Sequence, residues 1–383
     1  MQIKLKNKDT YLVVTPFFPS NESFVGSYIF DQVNELRNQT NFNIEIVKAI
    51  SILSSEQDYK FKGFSVHVFK TIDFPYFIFP GVFNQINKKR FFKLLKKNKI
   101  ENIKYSHSHV SYPAAYLVED LVCKKIVQHH GLDVLQLTNG RNKFMRNIQK
   151  RFLIRNTIKH LNNADINLGV SNLVLQQLRN YKTYNPQNEF ILYNGVDTSK
   201  FFEKQTAKNY IFIIGCVGNF WKIKDQITLI KSTQKILEDG NKIKLRLIGS
   251  GPTLRSCKEY VFENNLTKYI LFENEIVHEK LNDFYNSIDL FVLPSYYEAL
   301  GCVYLESWAT NTPFVAIEGQ GISELISNKE KKKILAEEQS AESLKEKILI
   351  AYNNRMSYPF DEKYDIKNTI YDFLSLDIFE KND

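Results

Sequence analysis

Short apolar runs that stop at proline, glycine or serine recur along the chain, and several of the intervals between them repeat their apolar residues with a helical period. Tyr11-Leu-Val-Val-Thr15 ends at Pro16, and a loop with Pro19 and Gly26 leads into a helix-period stretch from about residue 28 to 37. Further strand-like runs occupy residues 44–50, 65–69, 125–128 and 166–170. The pattern restarts at residues 210–217, followed by a helical stretch from about 225 to 238 that ends at Gly240. Residues 244–248 stop at Gly249-Ser-Gly251-Pro252, and residues 290–293 stop at Pro294-Ser295. Strands alternating with helices predict parallel, doubly wound α/β sheets, one in each half. In such sheets ligands bind outside the carboxyl ends of the strands, so the polar and glycine-bearing loops that follow these runs mark a candidate site.

A length of 383 residues points to two domains. No apolar stretch reaches the roughly 20 residues of a membrane span, and the N-terminal segment lacks the pattern of a secretory leader. Cys123, Cys216, Cys257 and Cys302 are widely spaced, which argues against a disulfide framework or a zinc site and fits a cytoplasmic protein. Charge divides unevenly: residues 1–204 hold 29 Lys/Arg against 16 Asp/Glu, about +13, and the remainder 22 against 26, about −4. A positive field of that breadth points to a polyanionic or membrane-surface partner for the first half.

The densest chemistry lies in Pro294-Ser-Tyr-Tyr-Glu298-Ala299-Leu300-Gly301-Cys302-Val-Tyr-Leu-Glu306. Glu298 sits in a turn after a strand, and Gly301 opens a predicted helix whose first amides can receive phosphate. Glu306 lies roughly 8 Å further along the helix axis, at about 1.5 Å per residue. Carboxylates beside a phosphate site accept sugar hydroxyls more readily than they bind phosphate, which suggests a nucleotide sugar.

These residues resemble the Glu-x7-Glu motif of the retaining glycosyltransferases of family 4. Thr312-Pro313 and Gly319-Gln-Gly-Ile-Ser-Glu324 resemble that family's following strand and glycine-rich loop. The resemblance implies the GT-B fold, α/β, with two Rossmann-like doubly wound parallel-sheet domains facing across a cleft. It implies that Glu298 meets the donor sugar, that Ala299, Leu300, Gly301 and Cys302 meet sugar and diphosphate through the backbone, and that Glu306 meets the ribose. Upstream, Val217-Gly218-Asn219 through Lys224 is similar to the family's valine-glycine-arginine and lysine-glycine segment. It puts Lys224 on the diphosphate, Asn219 in the arginine position, Asp225 in place of glycine, and Lys222 nearby as a substitute charge. Asn194-Gly-Val-Asp197 resembles the interdomain edge, and the Gly249 loop the nucleotide side.

In the first half, Gly26 and Ser27 resemble the family's first-strand loop, and Gln128-His129-His130-Gly131 its histidine-glycine segment. The resemblance makes His130 a catalytic candidate beside Glu298 and Lys224, and sets Gly26, Ser27 and His109 on the acceptor side. His107-Ser-His109 is too small a set for a metal, and no metal or cofactor is expected beyond the nucleotide diphosphate sugar as co-substrate. The expected reaction moves a hexose or N-acetylhexosamine from a nucleotide diphosphate sugar, UDP first among them, to a glycan or lipid-linked saccharide in bacterial surface polysaccharide synthesis. The leaving diphosphate would deprotonate the acceptor on the same face, retaining the anomeric configuration.

Expected domains are 1–204 and 205–361, with about 362–383 returning to the first. A nucleotide-sugar epimerase, a phosphorylase, a silent nucleotide-sugar-binding subunit and a nucleic-acid-binding protein are the competing readings; the last lacks a stacking platform of aromatic residues. Two basic segments predict contact with an anionic membrane surface: Lys88 to Lys97, preceded by the apolar Phe74 to Pro80, and Arg141 to Lys159, with seven basic residues and no acidic one.

Overall fold

A computed structural model describes residues 8–72, 81–131, 154–205, 210–354 and 359–379. The chain divides into two compact units, Met1–Tyr193 with Thr369–Asp383, and Asn194–Asn368. The first boundary, between Tyr193 and Asn194, lies ahead of the expected 204/205 position, and Asn194 to Asp197 belong to the second unit.

The first unit is built from β1 (Thr10–Thr15), α1 (Ser27–Gln39), β2 (Asn43–Ser51), β3 (Tyr59–Phe61), β4 (Phe64–Thr71), α2 (Asn84–Lys97), β5 (Ile103–His109), β6 (Lys124–His129), β7 (Ile166–Gly169), α3 (Asn172–Arg179) and β8 (Glu189–Ile191). Its sheet runs β3-β4-β2-β1-β5-β6-β7-β8, parallel throughout except for β3 against β4. That antiparallel pair turns at Lys62 (φ 43°) and Gly63 (φ 85°), and two consecutive left-handed residues suit a tight hairpin. Strand order reverses between β1 and β5, where every residue of β1 is buried because helices cover both faces of a parallel sheet. Against one face α2 packs Phe91 and Leu95, whose burial contributes about 1.5–3 kcal/mol each.

The same α2 face buries Lys88, only 3% exposed, whose ammonium pairs with Glu119 and Asp120. This corrects its expected place on a membrane surface: a charge so enclosed is held by its carboxylates and is not offered to lipid. Arg90 also turns inward, donating to the Lys70 carbonyl at 2.8 Å. Lys89, Lys96 and Lys97 remain exposed. Phe74 to Pro80 and residues 141–153 of the second basic segment lie outside the described residues; residues 154–162 form a helix.

The second unit contains β9 (Phe212–Val217), α4 (Gln226–Glu238), β10 (Ile243–Ile248), α5 (Leu254–Glu263), β11 (Ile270–Glu273), α6 (Leu281–Asn286), β12 (Leu290–Val292), α7 (Cys302–Ala309), β13 (Phe314–Ile317), α8 (Asn328–Ile334), β14 (Leu335–Ala336) and α9 (Ala341–Asn354). Its order, β11-β10-β9-β12-β13-β14, is wholly parallel and reverses between β9 and β12. The apolar residues of α4, Leu229, Ile230 and Ile236, are spaced to lie on one face and are fully buried. A last helix, α10 (Ile366–Leu374), leaves the second unit at Asn368 and continues in the first. There Phe373 is fully buried, its ring 5.8 Å from His107 and 4.9 Å from Phe379, which itself lies 4.9 Å from Tyr105.

Candidate active site

Three loops meet at the reversal point of the second sheet. The first follows β9 through Gly218 and Asn219 to a single turn, Lys222–Lys224. Asp225 then takes a left-handed conformation (φ 48°) ahead of α4, which explains a position that resembles glycine in the family; aspartate is among the few side chains that tolerate it. The Gln226 amide donates to the Asn219 carbonyl at 3.1 Å, fixing that backbone, while the Asn219 side chain and Lys222 are exposed. The second loop, after β10, lies directly on the first. A Cβ on Gly249 would come within 2.2 Å of the Gly218 carbonyl oxygen, and one on Gly251 within 2.6 Å of that of Phe220. These contacts require glycine.

The third loop, after β12, carries Glu298. Its carboxylate forms an ion pair with Lys224, and Tyr296 N donates to the Ile223 carbonyl at 3.1 Å, so the two loops are tied by backbone and by charge. Gln320 holds the turn from behind: its side-chain oxygen accepts from Glu298 N at 2.7 Å and its amide donates to Tyr296 O at 3.1 Å. Gly321 passes so close that a Cβ would lie 1.7 Å from the Ala299 carbonyl oxygen. Leu300 is buried, anchoring the turn, and Gly301 (φ 81°) starts α7. The first turn of α7 has no side-chain cap and no acidic residue, which leaves its positive dipole end suited to an anion. Cys302 Sγ accepts from the Asn194 side-chain amide at 3.2 Å.

Glu306, 7% exposed, points from α7 into a pair of donors: Tyr285 Oη lies 2.8 Å from Oε2 and His278 Nε2 lies 3.2 Å from Oε1. Burial, reinforced by the Glu306 charge, pushes the Tyr285 hydroxyl well above its ordinary pKa, so it stays a donor. Phe201 packs edge-on against both rings. His278, Tyr285 and Gln320 are functional neighbours that the sequence reading misses, because a lone polar residue in a loop or short helix carries no spacing signal. A cavity of about 630 Å³ with Gly240 and Lys242 in its wall lies at the amino ends of β9 and β10, away from these loops.

The remaining predicted residues stand at the reversal point of the first sheet. Gly26 (φ 90°) precedes α1, where a Cβ would lie within 2.7 Å of the Phe17 backbone, and Ser27 is the first residue of that helix. His109 ends β5, and His130 follows β6. The rings of His107 and His109 stack at 4.3 Å, and those of His109 and His130 at 5.2 Å. Burial pushes His107 down to about 3 and His109 well below its ordinary value. Among the described residues no group of three or more His, Cys, Asp or Glu has the arrangement to hold a metal ion.

Two family models match the chain: Glycosyltransferase Family 4 over residues 25–200 and Glycosyl transferases group 1 over residues 197–368. The O-antigen chain mannosyltransferase RfbU of Salmonella typhimurium is 27% identical over 189 residues, 49% of this chain and 51% of that protein. The chain spans about half, or less, of the length of the curated relatives it matches. Sucrose-phosphate synthase from Thermosynechococcus elongatus superimposes with a TM-score of 0.71 at 16% identity, covering 95% of this chain and 94% of that one. HepE from Anabaena, solved with UDP and glucose, superimposes with a TM-score of 0.69 at 14% identity, covering 96% and 100%.

Proposed function

Because the chain belongs to glycosyltransferase family 4 and has that family's GT-B fold, we propose that it moves a hexose or N-acetylhexosamine from a nucleotide diphosphate sugar to a saccharide acceptor. The observation that carries this reading is the convergence of Lys224 on the loop after β9, Glu298 on the loop after β12, and the uncapped start of α7 with Glu306 inside it, at one sheet reversal. Lys224 and the α7 amides take the diphosphate, Glu298 the sugar hydroxyls, and Glu306, steadied by Tyr285 and His278, the ribose. His130 takes the donor-sugar contact that the resemblance implies.

The anomeric configuration is retained: the bond from the anomeric carbon to the diphosphate oxygen breaks, the acceptor oxygen bonds to the same face, and its proton passes to the departing diphosphate. The complex of HepE with UDP supports a uridine donor, and the similarity to RfbU supports a role in bacterial surface polysaccharide synthesis. The diphosphate charge is met by Lys224 and the helix start, without a metal ion, in a cytoplasmic enzyme.

A lipid-linked acceptor would bring the first unit to an anionic membrane surface. The face that supports this is the exposed side of α2, where Ile86 and Phe92 accompany Lys89, Lys93, Lys96 and Lys97. No helix among the described residues is long and apolar enough to cross a membrane.

A thermal-shift series with UDP, GDP, ADP and their sugars tests the donor site. A ligand at 100 times its dissociation constant adds about 2.7 kcal/mol to a folded state that alone binds it. One nucleotide should raise the melting temperature in EDTA as well as in magnesium, and its sugar should yield a retained product by anomeric proton NMR. No shift with any nucleotide would overturn the donor site; an inverted product would overturn retention alone. Sedimentation with anionic vesicles, lost when Lys89, Lys93, Lys96 and Lys97 become glutamine, tests the membrane contact.

A further inference from the structure

The turn that carries Glu298 is held by groups outside it. On one side, Tyr296 N donates to the Ile223 carbonyl at 3.1 Å, in the loop that bears Lys224. On the other, Gly321 N donates to the Glu298 carbonyl at 3.0 Å. The two backbone groups of residues 296 and 298 that remain, the Tyr296 carbonyl and the Glu298 N–H, both go to the side chain of Gln320. Gln320 is 6% exposed and lies 22 residues beyond Glu298, in the segment after β13. Its flanking glycines allow the approach. Gly319 takes φ 78°, and Gly321 passes where a Cβ would stand 1.7 Å from the Ala299 carbonyl oxygen, so the segment lies flat against the turn.

The orientation of the Gln320 amide follows from its partners. A backbone N–H can only donate and a carbonyl can only accept, so the side-chain oxygen faces Glu298 N at 2.7 Å and the nitrogen faces Tyr296 O at 3.1 Å. The reverse assignment would set donor against donor and acceptor against acceptor. Neither group titrates, so the clamp does not depend on pH. One side chain thus fixes the main chain on both sides of Tyr297, and with it the point from which the Glu298 side chain, 12% exposed, reaches its partners. The start of α7 has anchors of its own: Leu300 in the core, and the Tyr304 hydroxyl, which donates to the Leu293 carbonyl at 2.7 Å.

We propose that Gln320 is a positioning residue for Glu298: by clamping Tyr296 O and Glu298 N it sets the direction in which the Glu298 carboxylate meets the donor sugar. This rests on the reading of Glu298 as the donor-sugar residue. A reacting geometry displaced by about 1 Å can lose about a hundredfold in rate, which is the scale of effect such a clamp controls. The contacts assigned to Lys224, to the α7 amides and to Glu306 do not pass through Gln320. Its loss therefore falls on the sugar and spares the nucleotide.

The variant Gln320→Met removes both hydrogen bonds at nearly constant volume. With the nucleotide sugar that the wild-type protein uses, kcat should fall about tenfold to a hundredfold, while the affinity for the bare nucleoside diphosphate, read by calorimetry, stays the same. In a Glu298→Gln background the same substitution should have little further effect, because the residue through which Gln320 acts is already lost. An equal loss in both backgrounds, or a loss of nucleotide affinity that matches the loss of kcat, would overturn the proposal and leave Gln320 a support of the fold alone. Amide hydrogen exchange adds a readout that needs no turnover. The wild-type Glu298 N–H should be protected, and in Gln320→Met it should exchange at least about tenfold faster. A wild-type Glu298 N–H that exchanges as fast as an open loop would overturn the proposal even if Gln320→Met does not fold. If the wild-type protein transfers no sugar from any nucleotide, the glycosyltransferase reading fails, and the exchange result still decides whether Gln320 holds the turn.

Discussion

Lys224 and Glu298 reach each other from separate loops, and removing one leaves the other charge partly buried and alone. Lys224→Ala should lower turnover about a hundredfold, on the order of 3 kcal/mol, and Asn219→Arg on that background should recover part of it. Steady-state kinetics check both; near-normal turnover of Lys224→Ala would move the diphosphate elsewhere. Glu298→Gln should reduce kcat by a similar factor, whereas Glu306→Gln should chiefly raise the donor KM. The second expectation follows from the partners of Glu306: a glutamine oxygen serves Tyr285 or His278 but not both. Buried histidines also set an acid limit on stability. His107 falls to about 3 and His160 to about 4, both through burial, so the unfolded chain binds more protons as pH drops below about 6.5. Stability should therefore be complete above about pH 6.5 and decline toward pH 4, as melting at successive pH values would show.

The loops of the proposed donor site depend on glycine at contacts below 3 Å. Gly249 combines φ 139° with a Cβ position 2.2 Å from a carbonyl oxygen, so Gly249→Ala should cost about 1–3 kcal/mol and lower the melting temperature by several degrees. Unchanged melting would mean that the Gly218 loop yields freely. Glycine, charge and strand end fall in order between residues 215 and 325, which is why this region is legible in the sequence. β5 is not legible. Ser106-His107-Ser108-His109 has no apolar run to mark a strand, and it forms a buried one in which the imidazoles meet Tyr11, His130 and one another. β3 is hidden differently, since three residues of hairpin are too short for any period. The supports of the site, Gln320 behind Glu298 and His278 and Tyr285 beside Glu306, come from elements up to 28 residues away and meet only in the folded unit. Lys88 shows the opposite error: a basic run looks solvent-facing until Glu119 and Asp120 are placed over it.

At the scale of the molecule, the alternating pattern of strands and helices foretells two doubly wound sheets, whereas the return of the chain end to the first unit is foretold only by the family resemblance, since no pattern in the residues marks it. The first unit takes its final residues, 369 onward, from the far end of the chain. Phe373, fully buried beside His107, anchors that return, and Phe373→Ala should cost about 3–5 kcal/mol in the first unit. A truncation before residue 369 should leave the second unit with its own melting transition and abolish that of the first; two intact transitions would show that the helix is dispensable. The return also bears on the order of events during synthesis. Most domains of a nascent chain can finish folding in the sequence in which they emerge from the ribosome. Here the N-terminal unit emerges first, yet part of its aromatic core, Phe373 and Phe379, is translated only after the whole of the second unit.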